Sequence, residues 1–218
     1  MSKYPCILAA GDSAFTVEFG DRMDEALNRR VRALDATLNA QPFPGMLETV
    51  PTYRSLLVMY DPLTAGETQV RAALIRALEG LRADRLPEGR LFEIPVSYGG
   101  TSGPDLADVA AHCGMTPSQV VRLHTEPAYR VAMLGFAPGF SYLFGLPRVL
   151  ATPRLTTPRT RVEPGSVGIA GLQTGIYALH TPGGWRIIGR TPTSLFDPDS
   201  DDPFVLHAGD RVRFLPVD

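Results

Sequence analysis

The chain has 218 residues, 44% of them hydrophobic and 20% charged, with a formal net charge of −2. These values suit a globular protein with a real core and exclude the basic footprint that nucleic acid or an anionic membrane surface requires. Lys3 is the only lysine, so a GxxxxGK[ST] phosphate loop and a Schiff-base lysine in the body of the fold are both excluded. Cys6 and Cys113 are too few and too isolated for a disulfide framework or a zinc site. No run approaches the ~20 apolar residues of a membrane span. The start, MSKYPCILAAGDSAF, meets Asp12 too soon for a signal peptide. A soluble cytoplasmic protein is expected, without nucleic-acid or membrane partners.

Residues 6–19 alternate loosely around Gly11-Asp12 and predict two strands joined by a turn. Residues 23–38 place Met23, Ala26, Leu27, Val31, Leu34 and Leu38 at three-and-four spacing, an amphipathic helix stopped by Pro42 and Pro44. Arg29, Arg30 and Arg32 are expected on its solvated face. Residues 47–51 and 54–60 read as strands, and 67–81 repeats the helical period through Val70, Leu74, Leu78 and Leu81. The order ββαββα gives a four-stranded sheet backed by two helices on one face. The charged stretch 82–90, with Pro87 and Gly89, is the expected boundary between a domain of residues 1–85 and one of residues 90–218.

Residues 91–98 read as a strand, followed by a loop and a helix that starts near Pro104 and stops at Gly114, with Asp105 favourable at its positive end. Thr116 is the expected N-cap of a second helix from Pro117 to about His124. Residues 129–135 form an apolar strand leading into residues 136–142. A glycine- and proline-dense stretch, 135–192, holds ten of the 21 glycines. No helical period survives there, and 165–171, 173–179 and 185–190 read as short strands, with Pro182-Gly183-Gly184 as a tight turn requiring positive φ. This spacing suggests a closed β-barrel or a sandwich. In the final strand Val212 and Phe214 alternate with Arg211 and Arg213.

The four histidines form no metal constellation. His124 and His207 read as surface or capping residues, and His180 is not expected to act as a general base. Ser141 sits outside any GxSxG elbow. Arg159, Arg161, Arg186 and Arg190 lie among prolines and glycines that restrict the backbone, and guanidinium groups are the preferred forks for carboxylate, carbamate, carboxyphosphate or phosphate. Gln173 and Tyr177 add neutral donors and acceptors. Together these six are the candidate substrate or anion site, with Phe140, Tyr142 and Trp185 as candidate pocket walls or core. The alternative is that the arginines and Gln173 knit barrel loops together. Glu163 is the only acid in residues 135–192, so ion pairing within the stretch does not satisfy all of its arginines. No catalytic base is legible.

Pro138-Gly139-Phe140, Pro158-Arg159, the run from Pro164 through Gly165-Ser-Val-Gly-Ile-Ala-Gly171 to Gln173-Thr-Gly-Ile-Tyr177, Pro182-Gly-Gly-Trp185 and Ile188-Gly-Arg-Thr-Pro192 closely resemble one family. It is that of the 5-oxoprolinase B-type subunit, also labelled allophanate hydrolase subunit 1, carboxyltransferase subdomain, or KipI-like. The resemblance implies an α+β fold in two domains, a ββαββα unit and then a cyclophilin-like β-barrel. It implies one component of an ATP-dependent 5-oxoprolinase that converts 5-oxo-L-proline to L-glutamate with A-type and C-type partner proteins; without a legible base or phosphate loop, the chain is expected to be inactive alone. Two other activities follow from the same resemblance. One is carboxyl transfer in a biotin-dependent urea-metabolising complex, with biotin carried by another protein. The other is KipI-like inhibition of a sensor histidine kinase.

Overall fold

Phe15, Val17 and Phe19 are buried, and Leu56, Val58 and Tyr60 repeat the same alternation, the period of two that a half-buried strand requires. In the computed structural model, which describes residues 4–217, they sit on two central strands, except Phe19, which directly follows the first of them. The sheet holds β1 (Cys6–Ala9), β2 (Ala14–Glu18), β3 (Met46–Pro51) and β4 (Ser55–Tyr60) in the antiparallel order β1-β2-β4-β3. Helices α1 (Glu25–Ala40) and α2 (Glu67–Glu79) add Val31, Leu34, Leu38, Val70 and Leu74 to one core with the inward strand residues. This ββαββα unit ends at Glu88, and a second compact unit starts at Gly89.

Helix α1 starts later than its apolar spacing implies. Asp24 caps it by accepting from the backbone N–H of Ala26 at 2.9 Å and Leu27 at 3.1 Å, and Met23 lies before the cap with 53% of its surface exposed. A capping carboxylate outweighs one more apolar residue in setting a helix start. Asn28 is fully buried and donates to the Thr52 carbonyl at 3.0 Å, tying α1 to the β3–β4 connection.

The second unit contains β5 (Leu91–Tyr98), α3 (Leu106–Cys113), α4 (Pro117–Thr125), β6 (Tyr129–Gly135), β7 (Ala137–Phe144), β8 (Arg159–Val162), β9 (Ser166–Ala170), β10 (Gln173–Ile176), β11 (Thr181–Gly183), β12 (Arg186–Arg190) and β13 (Arg211–Val217). Seven strands close a barrel in the order β10-β7-β6-β13-β5-β12-β9, and β8 pairs with β11 outside it. The barrel is mostly antiparallel, but β13 runs parallel to β5 along seven residue pairs, from Arg211↔Leu91 to Val217↔Ser97. Thr116 caps α4 and Gly114 closes α3 with φ 66°, as expected from residue type, and Gln119 completes a capping box by accepting from the Thr116 backbone N–H at 2.8 Å.

Counting the start of α1, three expectations from the sequence are corrected by the structure. Residues 136–142 have no element of their own in the sequence reading, and 137–144 is β7, paired with β6 and β10. Gly139 supplies a positive φ of 74° inside it, which is how a strand passes through a Pro-Gly pair. Pro182-Gly183-Gly184 is not a positive-φ turn, because neither glycine has positive φ and Gly183 belongs to β11. Gly183 is small for another reason: a Cβ there would run into the Tyr177 hydroxyl.

The third concerns His124, which is wholly buried rather than exposed. Its ring stacks on Phe214 with centroids 4.7 Å apart. The hydrogen bonds fix its tautomer. Thr174 Oγ1 donates to the Gly168 carbonyl at 2.9 Å, so it accepts from Nε2–H of His124 at 3.0 Å. Nδ1 is therefore bare and accepts from the Tyr98 hydroxyl at 2.8 Å. Burial holds the imidazole down at a pKa of about 3, and it is neutral. The signal for burial is present in the sequence, since Val120 and His124 stand four residues apart on the inward face of α4.

Candidate functional site

Strand alternation sends Phe140 and Tyr142 of β7 to one side of the sheet, where they meet Tyr177 and Trp185. Phe140 is the hub. Its ring lies edge-to-face with Tyr142 at 4.7 Å, Tyr177 at 4.8 Å and Trp185 at 5.3 Å. Such contacts set ring edges against ring faces and are each worth about 0.5–1.5 kcal/mol beyond area burial. Gly175 makes room for them, because a Cβ would press on the Phe140 and Trp185 rings and on the Ser141 carbonyl. Ser141 alternates with these aromatics and is wholly buried, its hydroxyl without a hydrogen-bond partner among the described residues.

A cavity of about 260 Å³ opens beside this cluster, lined by the aromatics, Phe136, Arg154, Pro158 and residues 182–184. Sequence reasoning does not single out two of these, Phe136 and Arg154. Phe136 is the single residue between the paired Gly135 and Ala137 at the β6–β7 apex. Its φ is +69°, a left-handed conformation that costs a bulky residue about 1–3 kcal/mol. The residue is 61% exposed, and its ring stands edge-on to Phe140 and Tyr177. An aromatic side chain held in strain and left in solvent points to a role outside stability. Arg154 has no hydrogen-bond or ion-pair partner among the described residues, and no carboxylate lines the cavity. Burial pushes the Tyr177 hydroxyl up to about 12, opposed by the Trp185 backbone N–H that it accepts from and by the nearby Arg154. Burial also raises Tyr142, against the same guanidinium. Both phenols keep their protons at neutral pH and are not bases.

The structure does not gather the candidate arginines into one pocket. Arg159 donates to Asp105 Oδ1 at 2.7 Å, while Asp105 Oδ2 accepts from the Ile187 backbone N–H at 2.6 Å. Asp105 precedes α3 but makes no side-chain cap for it. Its carboxylate, 7% exposed, instead clasps the β12 backbone beside Trp185, and Arg159 also reaches the Trp185 carbonyl at 3.4 Å. Arg161 pairs with Glu163 at 3.0 Å and approaches His180 Nε2 at 2.9 Å, out in solvent. Its hydrogen bond lowers the Glu163 pKa. Arg186 bonds Asp108 at 3.1 Å and the Pro153 carbonyl at 3.4 Å. Gln173 begins β10 opposite Ala170 and lines neither the aromatic cavity nor the groove beside Arg190.

Arg190 stands apart. It shares one rung of the barrel with Ser97 of β5, whose other neighbour is Val217 of β13. Together with Ser102, Gly165, Thr191, Thr193 and Ser194 these line a polar groove of about 650 Å³. Nε of Arg190 is anchored on the Pro164 carbonyl at 3.0 Å, and both Nη groups are without a hydrogen-bond partner among the described residues. Among those residues no cluster of three or more His, Cys, Asp or Glu side chains is placed to hold a metal ion. No helix among the described residues is long and apolar enough to cross a membrane.

Residues 5–206 match the family described as carboxyltransferase domain, subdomain C and D. The B-type subunit of 5-oxoprolinase from Escherichia coli O157:H7 is 44% identical over 99% of this chain and 97% of its own. That of Bacillus subtilis strain 168 is 42% identical over 95% of this chain and 90% of its own. The crystal structure of TTHA0988 superposes with a TM-score of 0.85 at 42% identity, over 94% of this chain and 40% of that one, so the chain spans about two fifths of that protein.

Proposed function

The chain belongs to the carboxyltransferase subdomain C and D family, and from that membership we propose that it is the B-type subunit of a cytoplasmic, ATP-dependent 5-oxoprolinase. The complex opens the lactam of 5-oxo-L-proline to give L-glutamate, and this chain works in it with A-type and C-type partner proteins. One observation carries the reading: near-end-to-end identity above 40% with two proteins that bear the name of the 5-oxoprolinase B-type subunit.

The chemistry is consistent with a shared active site. Opening an unactivated lactam needs a polarised carbonyl, a site that handles phosphate and a base that activates water. In the aromatic cavity the titratable groups are two phenols that hold their protons and a guanidinium that never releases one. The sequence lacks the lysine of a phosphate loop. Arg190, with anchored Nε and open Nη groups among five hydroxyls, offers an anion a fork of donors. The base and the rest of the phosphate machinery come from the partners.

The purified chain alone is therefore expected to show no turnover of 5-oxoproline, and co-expression with its two partner types to restore ATP-dependent glutamate release. Robust turnover by the isolated chain defeats the division of labour, and an inactive three-component complex defeats the functional reading. In the active complex, Arg190→Ala is expected to lower the rate at least tenfold, about 1.4 kcal/mol in the barrier, with little change in the melting of the isolated chain. A fully active Arg190→Ala complex removes the groove from the mechanism.

A further inference from the structure

We propose that the aromatic cavity is where 5-oxo-L-proline binds, its five-membered ring against Phe136, Tyr177 and Trp185 and its carboxylate on Arg154. This rests on the reading of the chain as part of a 5-oxoprolinase, to which it adds the place and the residues.

Size comes first. Sites for drug-sized ligands run to roughly 300–1,000 Å³, and this one, at about 260 Å³, lies just below that range and suits a small molecule. Its walls are aromatic, and Gly183 and Gly184 add no side chain to it, which fits a flat ring. Charge points the same way. Arg159, Arg161 and Arg186 are each neutralised by a carboxylate of this chain, whereas Arg154 lines the cavity with no ion-pair partner among the described residues, and no acid lines it. One open guanidinium beside apolar walls selects a ligand with one carboxylate and an apolar body. Phe136, kept at positive φ and exposed at the cavity, places an aromatic ring where a ligand would cover it. Tyr177 retains its proton and donates a hydrogen bond to the lactam carbonyl. That bond orients the amide without transferring a proton.

Trp185 is the only tryptophan in the chain and it lines the cavity, so its fluorescence reports occupancy directly in the intact chain. Titration with 5-oxo-L-proline is expected to give a saturable change. Pyrrolidin-2-one, the same ring without the carboxylate, is expected to bind at least tenfold more weakly. Arg154→Gln is expected to weaken 5-oxoproline at least tenfold while leaving pyrrolidin-2-one unchanged. Phe136→Gly, which relieves the backbone while deleting the ring, is expected to weaken both ligands with unchanged melting. No saturable response in the wild-type chain, an equal response in Arg154→Gln, or saturation by an uncharged proline peptide alone overturns the assignment. Turnover by the assembled complex is read separately, so its failure strikes the functional reading and not the cavity.

Discussion

Lowering the pH from 6.5 to 5 is expected to remove about 2 kcal/mol of stability from the barrel unit through His124 alone, at about 1.4 kcal/mol per pH unit. The sign follows from the buried imidazole. Its folded pKa is about 3 against an ordinary 6.5. Above about pH 6.5 both folded and unfolded states are neutral and the residue adds no penalty. Below it the unfolded chain takes up a proton that the folded chain refuses, so stability falls as pH falls, on the order of 4–5 kcal/mol by pH 3. The side chains against the ring offer a proton no counter-charge, since Tyr98, Thr174, Tyr129 and Phe214 are all neutral. A proton on Nδ1 would also displace the bond that Tyr98 donates. Urea unfolding followed by Trp185 fluorescence checks this at several pH values. His124→Gln is expected to be less stable at pH 7 but to lack this share of the acid loss. Parallel wild-type and variant curves between pH 6.5 and 5 exclude the mechanism.

Asp105→Ala is expected to cost about 3 kcal/mol. The carboxylate holds Arg159 with one oxygen and the Ile187 N–H with the other, so truncation strands a guanidinium and a buried backbone donor at once. Removing one partner of a buried pair costs about 3–5 kcal/mol. The lower end applies because the Arg159 side chain is 31% exposed and can partly rehydrate. Asp105→Asn, which keeps an acceptor for Ile187, is expected to lose about half as much. Adding Arg159→Ala to Asp105→Ala is expected to cost little more, because the guanidinium has already lost its partner. A midpoint shift equivalent to less than about 1 kcal/mol for Asp105→Ala, the level of an ordinary exposed pair, means the clasp does not hold β12.

The contrast between Asp105 and its partner shows where sequence reasoning stops. Local features are legible: Thr116, Gln119 and Gly114 fix helix ends through residues within four positions, and Val212 and Phe214 declare their inward face by alternation alone. The pairing of Asp105 with Arg159, 54 positions apart, has no local signature. Asp105 reads as a helix-end acid, and only the barrel brings β12 and Arg159 within its reach. Phe136 and Arg154 escape notice for the same reason. Neither sits in a distinctive pattern, and what marks them is a φ angle and the lack of a partner, both properties of the folded chain. The arginine-rich motifs are conspicuous in sequence, yet three of the four resolve into ion pairs. Phe140, Tyr142 and Trp185, left open between wall and core, are both at once, a cluster packed on one side and lining a cavity on the other.

The parallel strand β13 has a consequence for how the protein is made. β5 is the first strand of its unit to be synthesised, yet the segment that flanks it waits for residues 120 positions later, as in the bond from the Arg90 N–H to Asp210. Until β13 has left the ribosome, that edge of β5 is bare, and bare edges recruit other strands. Such long-separation pairing also slows folding. A nascent chain halted before Arg211 has every residue of the aromatic cavity already translated but no closed barrel to hold them. Ribosome-stalled intermediates of this length are thus expected to expose the β5 edge that β13 later covers.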